Sequence, residues 1–272
     1  MRVLITNDDG ISSPGLHALA RAVRAAGHDV CVAAPHQEAS GSGTALNAVT
    51  EDGRLMLAAA DIGDGIEAYS VAASPAYIAV LAAIGAFGPA PDVLLSGINR
   101  GANAGHAILH SGTVGAALSA AAEGLRAMAV SLDVFTTLTA TGAGIDDARV
   151  AFRAVPDDAL HWPTAADLAV PLLPWLSTAP PGTVLNLNAP DLPRPEIRGL
   201  RRATPAPFGQ VQMGVAESGR DFARITVTVR QDERPPGTDL ALLAEGYATL
   251  TAIRPPAEDP SVAPPLDTGP PA

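Results

Sequence analysis

Residues 2–10 read Arg2-Val3-Leu4-Ile5-Thr6-Asn7-Asp8-Asp9-Gly10, an apolar run that stops abruptly at two adjacent carboxylates. Val3, Leu4 and Ile5 predict a short buried strand. A turn and a helix follow, with Ser13 as N-cap, Pro14 at the first helical position and Gly27 as the stop. Leu16, Leu19, Ala20 and Val23 recur at helical spacing, so the helix is amphipathic and packs on a sheet. Asp8 and Asp9 therefore stand at the carboxyl end of the first strand, the edge where open α/β sheets bind ligands. Two neighbouring carboxylates repel and raise each other's pKa unless something positive lies beside them, and a divalent cation is the simplest candidate. Asn-Asp-Asp-Gly is equally ordinary turn chemistry, because Asn and Asp favour turns and Gly supplies positive φ. Taken alone, the stretch does not choose between the two.

The alternation of strand and helix continues through the first half. Residues 29–34 form a second strand ending at Pro35, and a Gly/Ser-rich loop follows, His36-Gln37-Glu38-Ala39-Ser40-Gly41-Ser42-Gly43-Thr44. Residues 54–59 and 66–71 alternate weakly, as a hairpin-like pair does. A helical pattern over 75–87 is closed by Gly88 and Pro89. Asp92-Val93-Leu94-Leu95-Ser96-Gly97-Ile98-Asn99 is a buried strand that runs into Gly101-Ala102-Asn103-Ala104-Gly105 and then Ser111-Gly112-Thr113-Val114-Gly115. Small residues over 116–122 continue as a tightly packed helix, and 128–132 is the next strand. Repeated strand, loop and helix units predict an α/β fold, a mostly parallel sheet covered on both faces. Right-handed crossovers bring the loops to one edge, where Asp8, Asp9, Ser40, Asn99 and Ser111 converge.

The second half is less regular. A short helix is expected over 164–170, and Trp162 and Trp175 read as packing residues. Val184-Leu185-Asn186-Leu187-Asn188 is a strand ending at Ala189-Pro190. Ile225, Val227 and Val229 alternate with Thr226, Thr228 and Arg230 as a half-buried strand, which with 209–215 makes a long hairpin or arm. Thr238 can cap a helix running to Glu245 and ended by Gly246. Beyond Arg254 the chain is rich in proline, and residues 256–272 are expected to be a disordered tail.

Bulk properties remove whole classes of function. The 28 acidic against 17 basic residues give a formal charge of −11, which argues against holding duplex nucleic acid by its phosphates. A phosphate ligand needs local positive charge from a metal or from helix N-termini. The single cysteine, Cys31, lies in the apolar run Val30-Cys31-Val32-Ala33-Ala34 and reads as a buried, inert thiol; the absence of an intramolecular disulfide suits a reducing cytoplasm. There is no charged leader before a long apolar core, and the alanine-rich run over 76–86 is too short to span a bilayer. A soluble, cytoplasmic protein without a membrane segment is expected.

The chemistry of the loops is that of hard oxygen donors. Carboxylates, a serine hydroxyl and an asparagine carbonyl suit Mg²⁺ or Mn²⁺, and no Cys/His ligand spacing is present. Ser111-Gly112-Thr113 opening onto a helix offers backbone N–H groups, two hydroxyls and a positive dipole end, a way to hold phosphate without lysine. Small residues there serve close helix packing equally well. A metal site beside a phosphate cradle reads as hydrolysis of a phosphate ester.

Four ordered motifs, Asn7-Asp8-Asp9-Gly10, Ala34-Pro35 with Ser40-Gly41, Ser96-Gly97-Ile98-Asn99-Arg100-Gly101-Ala102-Asn103 and Ser111-Gly112-Thr113-Val114-Gly115-Ala116-Ala117, closely resemble the survival protein E (SurE) family of metal-dependent 5′-nucleotidases. Later echoes, Leu185-Asn186-Leu187-Asn188-Ala189-Pro190 and Gly237-Thr238-Asp239, extend the resemblance to about residue 255. It implies a Rossmann-like three-layer core (about 1–135 plus 180–200) and a C-terminal β-rich extension or arm (about 200–255) that joins subunits into homodimers or homotetramers. It further implies that Asp8, Asp9, Ser40 and Asn99 bind one divalent metal ion per subunit, Mn²⁺ or Mg²⁺. Asn103, Ser111, Gly112 and Thr113 would bind the phosphate of a nucleoside monophosphate, with Asn7 and Gly41 beside them, and Asp8 and Asp9 would be catalytic. The ion would polarise the phosphoryl oxygens and activate a water that Asp8 orients; a covalent aspartyl-phosphate is the competing route.

The chain departs from the family pattern at His36-Gln37, where Asp-Arg is usual, at His110, where a tyrosine is common, and at His106, where an acidic residue is frequent. His106 and His110 are candidate general acids, subject to geometry. Two rival functions are a nucleotide-binding regulatory module without turnover, against which intact Asp8 and Asp9 argue, and a dinucleotide-dependent oxidoreductase. The latter lacks a Gly-x-Gly-x-x-Gly turn after its first strand.

Overall fold

The computed structural model describes residues 1–136, 155–229 and 233–256. The expected tail after residue 256 lies outside them. Strand β1 (Arg2–Thr6) leads through the acidic turn into helix α1 (Pro14–Ala25), and β2 (Asp29–Pro35) pairs parallel to β1. Then come β3 (Thr50–Glu51), β4 (Arg54–Leu55), β5 (Leu57–Ala59), β6 (Glu67–Val71) and α2 (Pro75–Ala83). They are followed by β7 (Val93–Arg100), α3 (Gly112–Ala122) and β8 (Arg126–Asp133). The remainder carries α4 (Trp162–Ala169), α5 (Leu173–Thr178), β9 (Val184–Pro190), β10 (Leu200–Arg202), β11 (Val211–Ser218), β12 (Ala223–Val229), α6 (Asp239–Ala244) and β13 (Ala248–Ile253).

Nine strands form one sheet in the order β10-β13-β9-β8-β7-β1-β2-β6-β5. From β9 to β6 every neighbour is parallel. This six-strand stretch, read from β6, is the doubly wound order 3-2-1-4-5-6. Side chains alternate between its faces, except across the Gly97–Asn99 irregularity of β7, where Ile98 shares the face of Leu95. Val3, Ile5, Val32, Leu95 and Val130 pack with Leu16, Leu19 and Val23 of α1 and with Ala165 and Leu168 of α4. Leu4, Cys31, Leu94, Ala127 and Ala129 pack with α2 and α3 through Ile78, Val114 and Ala117. The result is a three-layer α/β/α core, with both faces of the parallel sheet buried. The buried Cys31 thiol is pushed up to about 11 by desolvation, as an inert thiol is.

Several boundaries moved from expectation for local reasons. The helix predicted over 75–87 stops at Ala83 because Gly85, at φ +87°, takes a conformation that ends it. The helix of small residues starts earlier, at Gly112, where Ser111 caps it. Ser13 holds the N-cap position of α1, yet its hydroxyl makes no capping bond. Trp162 is buried as expected, whereas Trp175 is 58% exposed. Of the expected pair 54–59 with 66–71, residues 57–59 form β5 antiparallel to β6, whereas Arg54 and Leu55 form β4 and pair with β3. Strands β10 and β13 were not anticipated; β13 pairs antiparallel to β9 and β10 parallel to β13, extending the main sheet. Strands β11 and β12 make the separate arm, on which Met213, Val215 and Ile225 are exposed rather than half-buried. Among the described residues no helix is long and apolar enough to cross a membrane.

Candidate active site

The strand order reverses between β1 and β7, and the crevice outside their carboxyl ends is where a doubly wound sheet takes its ligand. A cleft of about 570 Å³ opens there. Asp8 and Asp9 enter it from the end of β1, Ser40 and Gly41 from the loop after β2, and Asn99 from β7; Asn103 and Ser111 complete the opposite wall. In the β7 to β8 pairing the register shifts between Gly97 and Asn99, a bulge of the kind that re-aims side chains beside sites.

The acidic turn divides its labour. Asn7 is fully buried and spends both amide atoms locally, Nδ2 donating to the Gly10 carbonyl at 3.0 Å and Oδ1 accepting from Gly10 N–H at 3.1 Å. The turn chemistry therefore belongs to Asn7 and Gly10, and Asn7 does not line the cleft. Asp8, 4% exposed, is gripped by the start of α3. The Thr113 hydroxyl donates to its Oδ1, and the backbone N–H groups of Gly112 and Thr113 favour the same carboxylate's charged form. Burial nonetheless raises its pKa above the ordinary carboxylate value. Gly112 is required for this contact, because a Cβ there would stand 2.8 Å from Asp8 Oδ2 and 2.6 Å from Ser42 Oγ. Gly112 and Thr113, expected to meet phosphate directly, thus face Asp8 in this structure.

Asp9 accepts from the Arg100 backbone N–H at 3.4 Å. Burial, and then the Asp8 charge, push its carboxyl up to about 7. The two neutral oxygens are oriented. Ser40 donates its hydroxyl proton to Glu38 Oε1 at 2.7 Å, and Asn99 donates Nδ2 to the Gly101 carbonyl at 2.7 Å. Each side chain has spent a donor on the protein, which turns its oxygen lone pairs to other use; Asn99 Oδ1 has the Thr113 hydroxyl at 3.3 Å. Among the described residues no three His, Cys, Asp or Glu side chains gather to hold a metal. A cation here would rest on two carboxylates and neutral oxygens. That hard-oxygen set fits Mg²⁺ or Mn²⁺, and such an ion would reverse the unfavourable crowding of Asp8 and Asp9.

Of the two candidate general acids, His110 lines the cleft, whereas His106 is exposed and does not. Among the lining residues that sequence reasoning did not assign to the site are Glu38, Arg100, Ser12 and Asp157. Arg100 follows Asn99 within a quoted motif and Glu38 lies in the Gly/Ser-rich loop two residues before Ser40; Ser12 and Asp157 carried no signal. The Arg100 guanidinium bonds Asp157 at 2.8 Å, tying the segment after residue 155 to the cleft end of β7.

The model of the family described as survival protein SurE matches residues 3–210. The chain is 36% identical over 259 residues to a 5′-nucleotidase SurE of Solidesulfovibrio magneticus, covering 93% of this chain and 91% of that one. It is 33% identical to a 5′-nucleotidase SurE of Stenotrophomonas maltophilia, covering 93% and 90%. It is likewise 33% identical to a 5′/3′-nucleotidase SurE of Shigella dysenteriae, with the same coverage. The crystal structure of the SurE protein from Aquifex aeolicus superposes with a TM-score of 0.68 at 25% identity, over 93% of each chain. With its doubly wound core, its acidic first turn and these relatives, the chain belongs to the survival protein SurE family.

Proposed function

We propose that this protein is a divalent-metal-dependent nucleotidase that hydrolyses nucleoside 5′-monophosphates to nucleoside and phosphate. One observation carries the reading: at the switch point, the buried Asp8 and the half-buried Asp9 share a cleft with a serine whose hydroxyl proton goes to Glu38 and an asparagine that gives one amide proton to the Gly101 carbonyl. Relatives named 5′-nucleotidase and 5′/3′-nucleotidase support it. Asp8, Asp9, Ser40 and Asn99 would hold the ion, which supplies Lewis-acid polarisation and a lowered water pKa when bound. Asp8, held by the Thr113 hydroxyl at the first turn of α3, orients the attacking water before substrate arrives. The second Nδ2 proton of Asn103 and the Ser111 hydroxyl meet the phosphoryl oxygens, since Ser111 uses only a lone pair to cap Val114 N–H at 3.0 Å. His110 is placed to protonate the departing nucleoside oxygen. The single buried cysteine suits a cytoplasmic enzyme.

The test is a panel of nucleoside 5′- and 3′-monophosphates assayed for phosphate release with Mn²⁺. Release from the 5′ series is expected. Tight nucleotide binding without release from any member would make the protein a regulatory binder instead.

The arm supports assembly as a homodimer or homotetramer. Met213 pairs with Val227 and Val215 with Ile225, so one face of the β11–β12 ribbon is apolar, with Met213 78% and Val215 64% exposed. A two-stranded ribbon is marginal in water without a surface to lie on. Sedimentation at micromolar concentration should show an oligomer, and Met213→Glu with Ile225→Glu should dissociate it. A wild-type monomer with undiminished activity would contradict the assignment.

A further inference from the structure

Two late sequence motifs have no part in the site as drawn so far: the Asn186/Asn188 pair of β9 and Gly237-Thr238-Asp239. Asn186 and Asn188 are fully buried in a strand whose other members, Val184, Leu185, Leu187 and Ala189, belong to the apolar core. Burying two amides there is unfavourable unless their bonds are made, and aliphatic side chains would fill the space without that demand. Their bonds converge on one distant residue. Asn188 takes Asn103 at both ends, Oδ1 accepting from its N–H at 2.8 Å and Nδ2 donating to its carbonyl at 3.2 Å. Asn186 Nδ2 donates to the same carbonyl at 2.7 Å, leaving its own Oδ1 buried without a partner. Between them on β8, the buried Ser131 accepts from Asn103 Nδ2 at 2.9 Å. Two residues on, the Asp239 carboxylate accepts from Gly105 N–H at 2.8 Å and from Ala206 N–H at 2.9 Å.

We propose that Asn188 and Asn186, assisted by Asp239, are positioning residues for the phosphate subsite. They clamp the backbone of residues 103 and 105 from two strands away, so that the Asn103 amide is presented to the cleft. This rests on the assignment of Asn103 to phosphate. Asn188 touches neither substrate nor metal; it acts through Asn103. An amide proton delivered in one orientation is effective because little freedom is left to lose on binding, and an ångström of misplacement is felt.

The experiment is a double-mutant cycle read by binding of inorganic phosphate to the Mg²⁺-saturated protein in a calorimeter. Mn²⁺ affinity is measured alongside, from the electron-paramagnetic signal of the free ion. Asn103→Ala should weaken phosphate binding. Asn188→Ala should weaken it by about tenfold, while Mn²⁺ affinity stays within about twofold. The double variant should bind no worse than Asn103→Ala alone, because residues acting through one another are not additive. Asn188→Leu, which refills the volume, should behave like Asn188→Ala. Wild-type phosphate affinity in the Asn188 variants, full additivity in the cycle, or failure of both Asn188 variants to fold would overturn the proposal, the last being the behaviour of an ordinary core residue. Unchanged affinity in Asn103→Ala itself would locate the failure in the phosphate site, and the positioning role would fall with it.

Discussion

Phosphate release will stop when divalent metal is removed by a chelator and return when Mn²⁺ or Mg²⁺ is restored. The expectation follows from the donor set. Asp8, Asp9, Ser40 and Asn99 offer only oxygen as a ligand atom, and the nearby Arg100 guanidinium is bonded to Asp157. With the cleft acidic and the chain at −11 overall, a dianionic phosphate has no reason to enter without a cation. Metal catalysis supplies several kcal/mol of charge stabilisation, so the loss should be on the order of a thousandfold or more. The chelated protein should remain folded, with a melting temperature that rises as metal is returned, since an ion that binds only the native state stabilises it by mass action. Full activity in excess chelator after extensive dialysis would end the metal assignment.

Replacing Asp9 by Asn should cut turnover by about two orders of magnitude or more while leaving the metal-free fold as stable or more so. Asparagine keeps an oxygen for the Arg100 N–H at 3.4 Å and removes a charge that the fold holds at a disadvantage. The Asp9 carboxyl is raised from 3.8 to about 7, by burial first and by Asp8 second. A carboxyl whose pKa is higher folded than unfolded binds its proton more tightly in the native state. Its contribution is thus favourable below about pH 4 and is lost as pH rises through about 7. The metal-free wild type should lose stability across that window, by an amount on the order of a few kcal/mol, and Asp9→Asn should flatten the curve. Paired measurements decide: melting temperature of metal-free protein from pH 4 to 8, and kcat with saturating Mn²⁺. Near-normal kcat, or unfolding of the metal-free variant at pH 8, would make the acidic pair structural.

The parallel core was legible because its strands are short apolar runs punctuated by glycine and proline, signals that need no knowledge of the rest of the chain. The loops at one sheet edge could be anticipated for the same reason, once handedness was applied. What the residues alone concealed was the direction of each polar group. Gly112 and Thr113 read as a phosphate cradle, yet only coordinates reveal that they face Asp8. Asn7 sat in the same motif as Asp8, but its amide closes the turn. Asp157 reaches the cleft from a segment remote in sequence, and no local pattern marks such a residue. Strand β10 was hidden because it is three residues long and two of them are arginines, and β13 because its alternation runs against expectation, with Thr249 and Thr251 buried and Ala252 exposed.

The nine-stranded sheet ends at both sides in strands of three residues, β5 and β10. Open strand edges are templates for uncontrolled sheet growth, and brevity and charge are the usual safeguards. Here β10 carries the exposed Arg201 and Arg202, and neither edge offers more than a few backbone bonds to a stray neighbour. Fibrillar or edge-to-edge association is therefore disfavoured by construction. The proposed self-association through the hairpin would then leave these short edges untouched, so that charging or trimming the hairpin exposes no long raw edge of the core.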